Sequence, residues 1–155
     1  MAEQSQGDIG ILVLLAYQGF VRELHEDMAR RGFDDLGRSD GVVMRMVARQ
    51  PLTVSELAAR LEVTKQGAAQ IVSDMERRGY VRRTPDPDDA RARRVALTER
   101  GGAVIESARR FHRAYERRLA RAHGADDVAV LRRVLETMAG TSGGGLERDL
   151  RGLYL

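Results

Sequence analysis

The 155-residue sequence has no cysteine, no tryptophan, three prolines and a single lysine. Without cysteine, disulfides, thiolate metal sites and cysteine-based redox sensing are all excluded. The three histidines, His25, His112 and His123, are scattered without ligand spacing, so no metal is expected. The apolar run 9–17 is far too short to cross a bilayer, and the start MAEQSQGDIG lacks the basic region of a signal peptide. A soluble cytoplasmic chain with no membrane partner is the expectation. Paired carboxylates, a nucleophile beside a base, and a phosphate-cradling glycine loop are also missing. The glycine-rich stretch 140–145 follows a helix rather than a strand and lacks a P-loop lysine. Neither an enzyme nor a cofactor is expected.

Apolar residues make up 43% of the chain, enough for a globular core, and the formal net charge is +3. Lys65 apart, the other 25 of the 26 basic residues are arginine, whose planar fork suits phosphate and guanine edges and stays charged at any working pH.

Residues 51–102 organise the rest. They read as a short helix, a turn, a second helix, a strand, a polar loop dense in arginine and aspartate, and a returning strand. That order is a helix-turn-helix with a β-hairpin wing, so the fold class is mainly α with a small β-hairpin (α+β). Thr53 with Glu56 three residues on has capping-box spacing for the first helix. Thr64 can cap the second, and Gly79 stops it. Ahead of this unit lies a helix over about 8–31, apolar nearly all round in its first turns, which implies burial on several sides, often against a second copy. A further helix follows, capped by Ser39 or Asp40, with Val42, Val43, Met46 and Val47 as its core face. After the wing, Thr98 begins a long helix with Val104, Ala108, Phe111, Tyr115 and Leu119 along one side. A last helix opens on Asp126 and Asp127 and carries the stripe Val128, Leu131, Val134, Leu135 and Met138. The tail leucines Leu146, Leu150 and Leu153 suit a short amphipathic turn or none.

In the second helix of the unit, Ala68, Ile71, Val72 and Met75 recur at i, i+3, i+4, i+7 and must face the core. The opposite face carries Lys65, Gln66, Ala69, Gln70 and Ser73. Gln66 and Gln70 are the candidates for base contact in the major groove, since a glutamine amide pairs with adenine in two places at once. Lys65 can reach guanine or a phosphate. Ser55 and Thr64, at or near helix starts, suit phosphates beside exposed backbone N–H groups. Arg91 near the wing tip is placed for the minor groove, Arg93 and Arg94 for the flanking backbone, and Ser73 and Arg83 complete the DNA-facing set. Asp86, Asp88 and Asp89 would repel phosphate. A carboxylate that pairs with Arg83 or Arg91, Asp89 above all, would instead support the wing and aim the guanidinium. The loop itself is too polar to be buried. The competing reading is a winged unit used for protein contacts or small-molecule binding without DNA readout.

The stretch LTVSELAARLEVTKQGAAQIVSDMERRGYVRR, followed by DPDDARARRVALTERG, resembles the MarR family of bacterial transcriptional regulators. The family pattern in the wing falls on Asp89, Arg91, Leu97, Thr98 and Gly101, and the likeness covers about residues 8–140. Ala90 stands where a second arginine is frequent, and Gly67 and Ala69 where serine or threonine is common, which implies fewer phosphate contacts. The resemblance implies a winged helix-turn-helix over residues 39–98, with residues 1–38 and 99–155 as helical dimerisation regions. It also implies a homodimer on a pseudo-palindromic operator of double-stranded DNA, with half-sites about 34 Å apart. A repressor released by a small aromatic or anionic effector fits that pattern. Candidate pocket residues are Tyr17, His25, Met44, Met46, Phe111, His112 and Tyr115.

Overall fold

A computed structural model of the chain describes residues 7–89 and 91–140. The glycine-rich stretch beyond Gly140 and the tail leucines lie outside the described residues. The boundary between two compact units falls after Asp34.

The first unit is α1 (Ile9–Arg30). Gly32, with φ +86°, follows its end, and Asp27 binds Arg31 at 2.7 Å and Arg30 at 3.3 Å. Ile9, Ile11, Leu12, Leu14 and Leu15 are each more than half exposed. The expected all-round burial of these turns is therefore not seen among the described residues.

The second unit runs α2 (Asp40–Arg49), β1 (Leu52–Thr53), α3 (Val54–Leu61), α4 (Lys65–Arg77), β2 (Val81–Pro85), β3 (Arg93–Leu97), α5 (Glu99–His123) and α6 (Ala125–Met138). The strands form one antiparallel sheet in the order β1-β3-β2. The hairpin register pairs Val81 with Leu97 and Pro85 with Arg93, while β1 pairs Leu52 with Val95. A third strand was not expected. Two residues are too few to show alternation, and only pairing with β3 makes them a strand. α2 packs against β3 and α5, α3 against α4, and α4 against β2.

The helix starts are held as their residues dictate. The Thr53 side chain accepts from the Glu56 N–H at 3.1 Å while the Glu56 carboxylate accepts from the Thr53 N–H at 2.7 Å, a complete capping box. The Thr53 N–H bond first, then the Thr53 hydroxyl, which donates to the same carboxylate at 3.0 Å, hold the Glu56 carboxyl below its usual pKa. Thr64 accepts from Gly67 N–H and Thr98 from Gly101 N–H. At α2 the expectation needs correcting: Ser39 occupies the cap but makes no capping bond. Asp40 is buried, and its carboxylate accepts from Gly37 N–H at 2.7 Å. The core face of α2 is likewise shifted. Val43, Met44, Met46 and Val47 are buried and Val42 only half so.

α5 buries Val104, Ser107 and Phe111, with Ala108, Tyr115 and Leu119 half-buried beside them. On α6, Leu131, Val134, Leu135 and Met138 are exposed in the single chain. Among the described residues no helix is long and apolar enough to cross a membrane, and no cluster of potential metal ligands occurs.

Candidate nucleic-acid interface

Burial fixes the rotation of α4. Ala68, Val72 and Met75 are fully buried and Ile71 half-buried, so the opposite side of the helix must face outward. At 100° per residue that side carries Gln66, Gln70, Ser73 and Arg77, spaced i, i+4, i+7, i+11, and all four are exposed. Lys65 stands exposed at the first position of the helix, just past the Thr64 cap. Ser55 is the second residue of α3 and is also exposed. Between the two helices, Glu62 takes the left-handed conformation (φ 56°) that turns the chain. Arg77, which shares this side, pairs with Asp74 at 2.8 Å.

The C-terminal end of α4 is clamped. Arg78 donates to both oxygens of the buried Asp40, one of them at 3.2 Å, and to the Asp35 carbonyl at 2.7 Å. Its guanidinium lies 5.6 Å from the centre of the Tyr80 ring, and that of Arg100 lies 4.9 Å from it. The Tyr80 hydroxyl donates to Asp35, which holds the Asp35 carboxyl below its usual pKa; burial, then the Asp35 bond, pushes the phenol up. The C-terminal end of α4 is thus tied to the start of α2 and the start of α5. The partners lie about 20 to 45 residues apart in sequence, so no local pattern announces them.

The wing is braced in three places. Arg83 donates its backbone N–H to Glu76 at 3.0 Å, pairs with the same carboxylate through its guanidinium, and donates to Ser73 Oγ at 3.0 Å. This joins β2 to the outward face of α4. Asp86 is buried and binds Arg94 at 2.5 Å, which also reaches the Pro51 carbonyl at 3.2 Å. Asp86 further accepts from Asp88 N–H at 2.9 Å, and that bond first, then Arg94, holds its carboxyl below its usual pKa. Asp89 accepts from the backbone N–H of Arg91 at 2.9 Å.

Two expectations are corrected here. The aspartates do not pair with the guanidinium of Arg83 or Arg91: Glu76 takes the first, and the loop ion pair is Asp86–Arg94. The loop is also not wholly exposed, because Asp86 carries its charge inside, balanced by Arg94 and two backbone donors' worth of polar contact. What stays exposed and unpaired among the described residues is Arg82, Arg91 and Arg93 on the wing and Lys65 and Gln66 on α4.

The seven pocket candidates fall in both units. Tyr17 and His25 are exposed on α1. Met44 and Met46 are core residues of α2. On α5 the Phe111 ring lies 6.0 Å from His112 and 5.8 Å from Tyr115. Partial burial and the Arg45 charge hold His112 below its usual pKa. A cleft of about 600 Å³ between α5 and α6, lined by Glu116, Ala120, Val128 and Arg132 among others, contains none of the seven.

Two helices joined by a tight turn, the second with its polar face outward, beside an arginine-edged hairpin, define a winged helix-turn-helix unit. Comparison with known proteins narrows the class. The MarR family model matches residues 34–92. The HTH-type transcriptional regulator PetP of Rhodobacter capsulatus is 31% identical over 127 residues, covering 81% of this chain and 75% of PetP. Among solved structures, YusO from Bacillus subtilis superposes with a TM-score of 0.69 at 21% identity, covering 92% of this chain and 99% of its own. FabT of Streptococcus pneumoniae, solved in complex with DNA, gives 0.65 at 22% identity over 84% of this chain and 94% of its own. The chain belongs to the MarR family of helix-turn-helix transcriptional regulators.

Proposed function

We propose that this chain binds double-stranded DNA sequence-specifically as a homodimer on a pseudo-palindromic operator, and acts as a repressor released by a small aromatic or anionic ligand. The observation that carries the DNA reading is the outward face of α4, where exposed amides and a hydroxyl stand where an ordinary solvated helix would carry Glu–Lys pairs. Gln66 and Gln70 take base edges, and Lys65, Thr64 and Ser55 take phosphates. Arg91 enters the minor groove, supported by the loop that Asp89 shapes, and Arg93 takes the flanking backbone. Ser73 and Arg83, hydrogen-bonded to each other, approach the duplex as one unit.

Residues 39–98 form the DNA-binding region, and residues 1–38 and 99–155 the dimerisation region. The exposed apolar turns of α1 and the exposed stripe of α6 support that division, because patches of this size ask for a partner surface. A ligand held by some of the pocket candidates named above would act by preferring the spacing of reading heads that does not fit DNA.

Selection of bound sequences from random DNA, followed by gel shifts at graded salt, tests the proposal. A two-fold symmetric consensus is expected, with affinity falling steeply as salt rises because bound phosphates release counterions. A flat selection profile at low salt without ligand would sink it, and would favour a winged unit used for protein contacts.

A further inference from the structure

Gln70 does not hang free on the reading face. Its Nε2 donates to Asp74 Oδ1 at 3.2 Å, one helical turn on, and the same oxygen accepts from Arg77 Nη2 at 2.8 Å. A carboxylate has no hydrogen to give, so only the NH2 end of the Gln70 amide can face it. That settles which way the amide points. The NH2 group lies toward Asp74, and Oε1 is turned to the other side. One amide hydrogen is taken by Asp74, leaving the second hydrogen and the carbonyl oxygen for another partner. Gln66 makes no such contact among the described residues and keeps both amide orientations.

We infer that Asp74 is a specificity-determining positioning residue: by orienting the Gln70 amide it commits that side chain to an adenine of one polarity in the operator. The inference rests on the DNA reading proposed above. Adenine offers the N7 acceptor and the N6 amino donor side by side, which matches one N–H and one C=O. Guanine offers two acceptors, O6 and N7, and leaves the Gln70 oxygen facing another oxygen. Without Asp74 the amide can turn over and accept other base steps, so discrimination falls. Overall affinity follows a different rule. Asp74 brings negative charge close to the phosphates, so its removal leaves non-specific binding unchanged or tighter. A merely structural role would predict the opposite, a uniform weakening.

The test is a selected-binding profile for the full-length chain and for Asp74→Ala, Gln70→Ala, the double variant and Asp74→Asn, with thermal unfolding measured for each. The expected result is loss of preference, roughly tenfold or more, at one symmetric pair of adenine positions in both single variants. The double variant should lose no more than Gln70→Ala alone, because the two residues act through one contact. Asp74→Asn, whose side-chain oxygen still accepts, should keep most of the preference. A selective wild-type chain whose Asp74→Ala profile is unchanged, or changed at positions that Gln70→Ala leaves alone, would overturn this inference only. A flat wild-type profile overturns both it and the DNA reading.

Discussion

Gly101 sits where the first turn of α5 meets the start of β2. A Cβ built there would overlap the carbonyl oxygen of Tyr80, and would lie 3.0 Å from Leu97 Cδ2. The backbone carbonyl is the neighbour that cannot yield easily. The Tyr80 carbonyl accepts from Thr98 N–H and Thr98 Oγ1, both at 3.1 Å, and Thr98 Oγ1 also reaches the Gly79 carbonyl at 2.5 Å. Gly101→Ala should therefore cost about 3 kcal/mol or more by overpacking, read as a lowered urea midpoint with unchanged slope. The Asp86–Arg94 pair makes a prediction in pH. Folding holds the Asp86 carboxyl below its usual value, so the native state binds fewer protons there than the unfolded one. Its contribution is present above about pH 3.9, the ordinary aspartate value, and is lost as pH falls through the folded pKa. Thermal unfolding of the parent chain and Asp86→Asn should differ at pH 6 and converge on acidification below about pH 3.9. A gap that persists unchanged in acid would show that Asp86 does not act through its charge.

Among the elements, α4 was the most legible in advance, because its core stripe and its outward polar face are both written in one helical period. The caps at Thr53, Thr64 and Thr98 were equally open to reading, since each is a local pattern of three or four residues. What escaped was long-range. β1 exists only through β3. Asp40 looked like a helix cap because its partner Arg78 lies 38 residues away. The loop aspartates and the wing arginines were all visible as residues, but which acid meets which base depends on register: Arg94 pairs with Thr84 in the hairpin, close to Asp86, whereas Arg83 pairs with Val95 and faces α4. The α2 core face departs from the sequence pattern at Val42 and Met44 because apolar residues at 42–44 and 46–47 span too much of a ten-residue helix to fix its phase. The DNA contacts proposed for the outward face of α4 are of two kinds. Lys65→Ala should weaken binding about equally on all sequences and reduce the salt slope by about 1, whereas Gln66→Ala should relax base preference by about 1 to 3 kcal/mol at one position and leave the slope alone. Fluorescence anisotropy on specific and scrambled duplexes across a salt series checks both. Equal behaviour of the two variants would contradict this division of the face.

At the scale of the molecule, the apolar surface left by α1 and α6 is the dominant fact. Leu131, Val134, Leu135 and Met138 are each between 43% and 53% exposed in one chain. Replacing Leu131 and Leu135 together by Asp should shift sedimentation from dimer to monomer at micromolar concentration. It should also lower operator affinity far more than non-specific affinity, because a monomer reads one half-site. A double variant that stays dimeric would place the interface elsewhere. The single lysine of the chain has a practical corollary at this scale. Its ε-amine is the sole side-chain amine in the sequence, and it stands exposed at the first position of α4. Amine-directed side-chain reagents, which elsewhere decorate a protein at many places, would here mark one spot at the start of α4. If duplex DNA covers that face as proposed, the labelling rate should fall when operator is added.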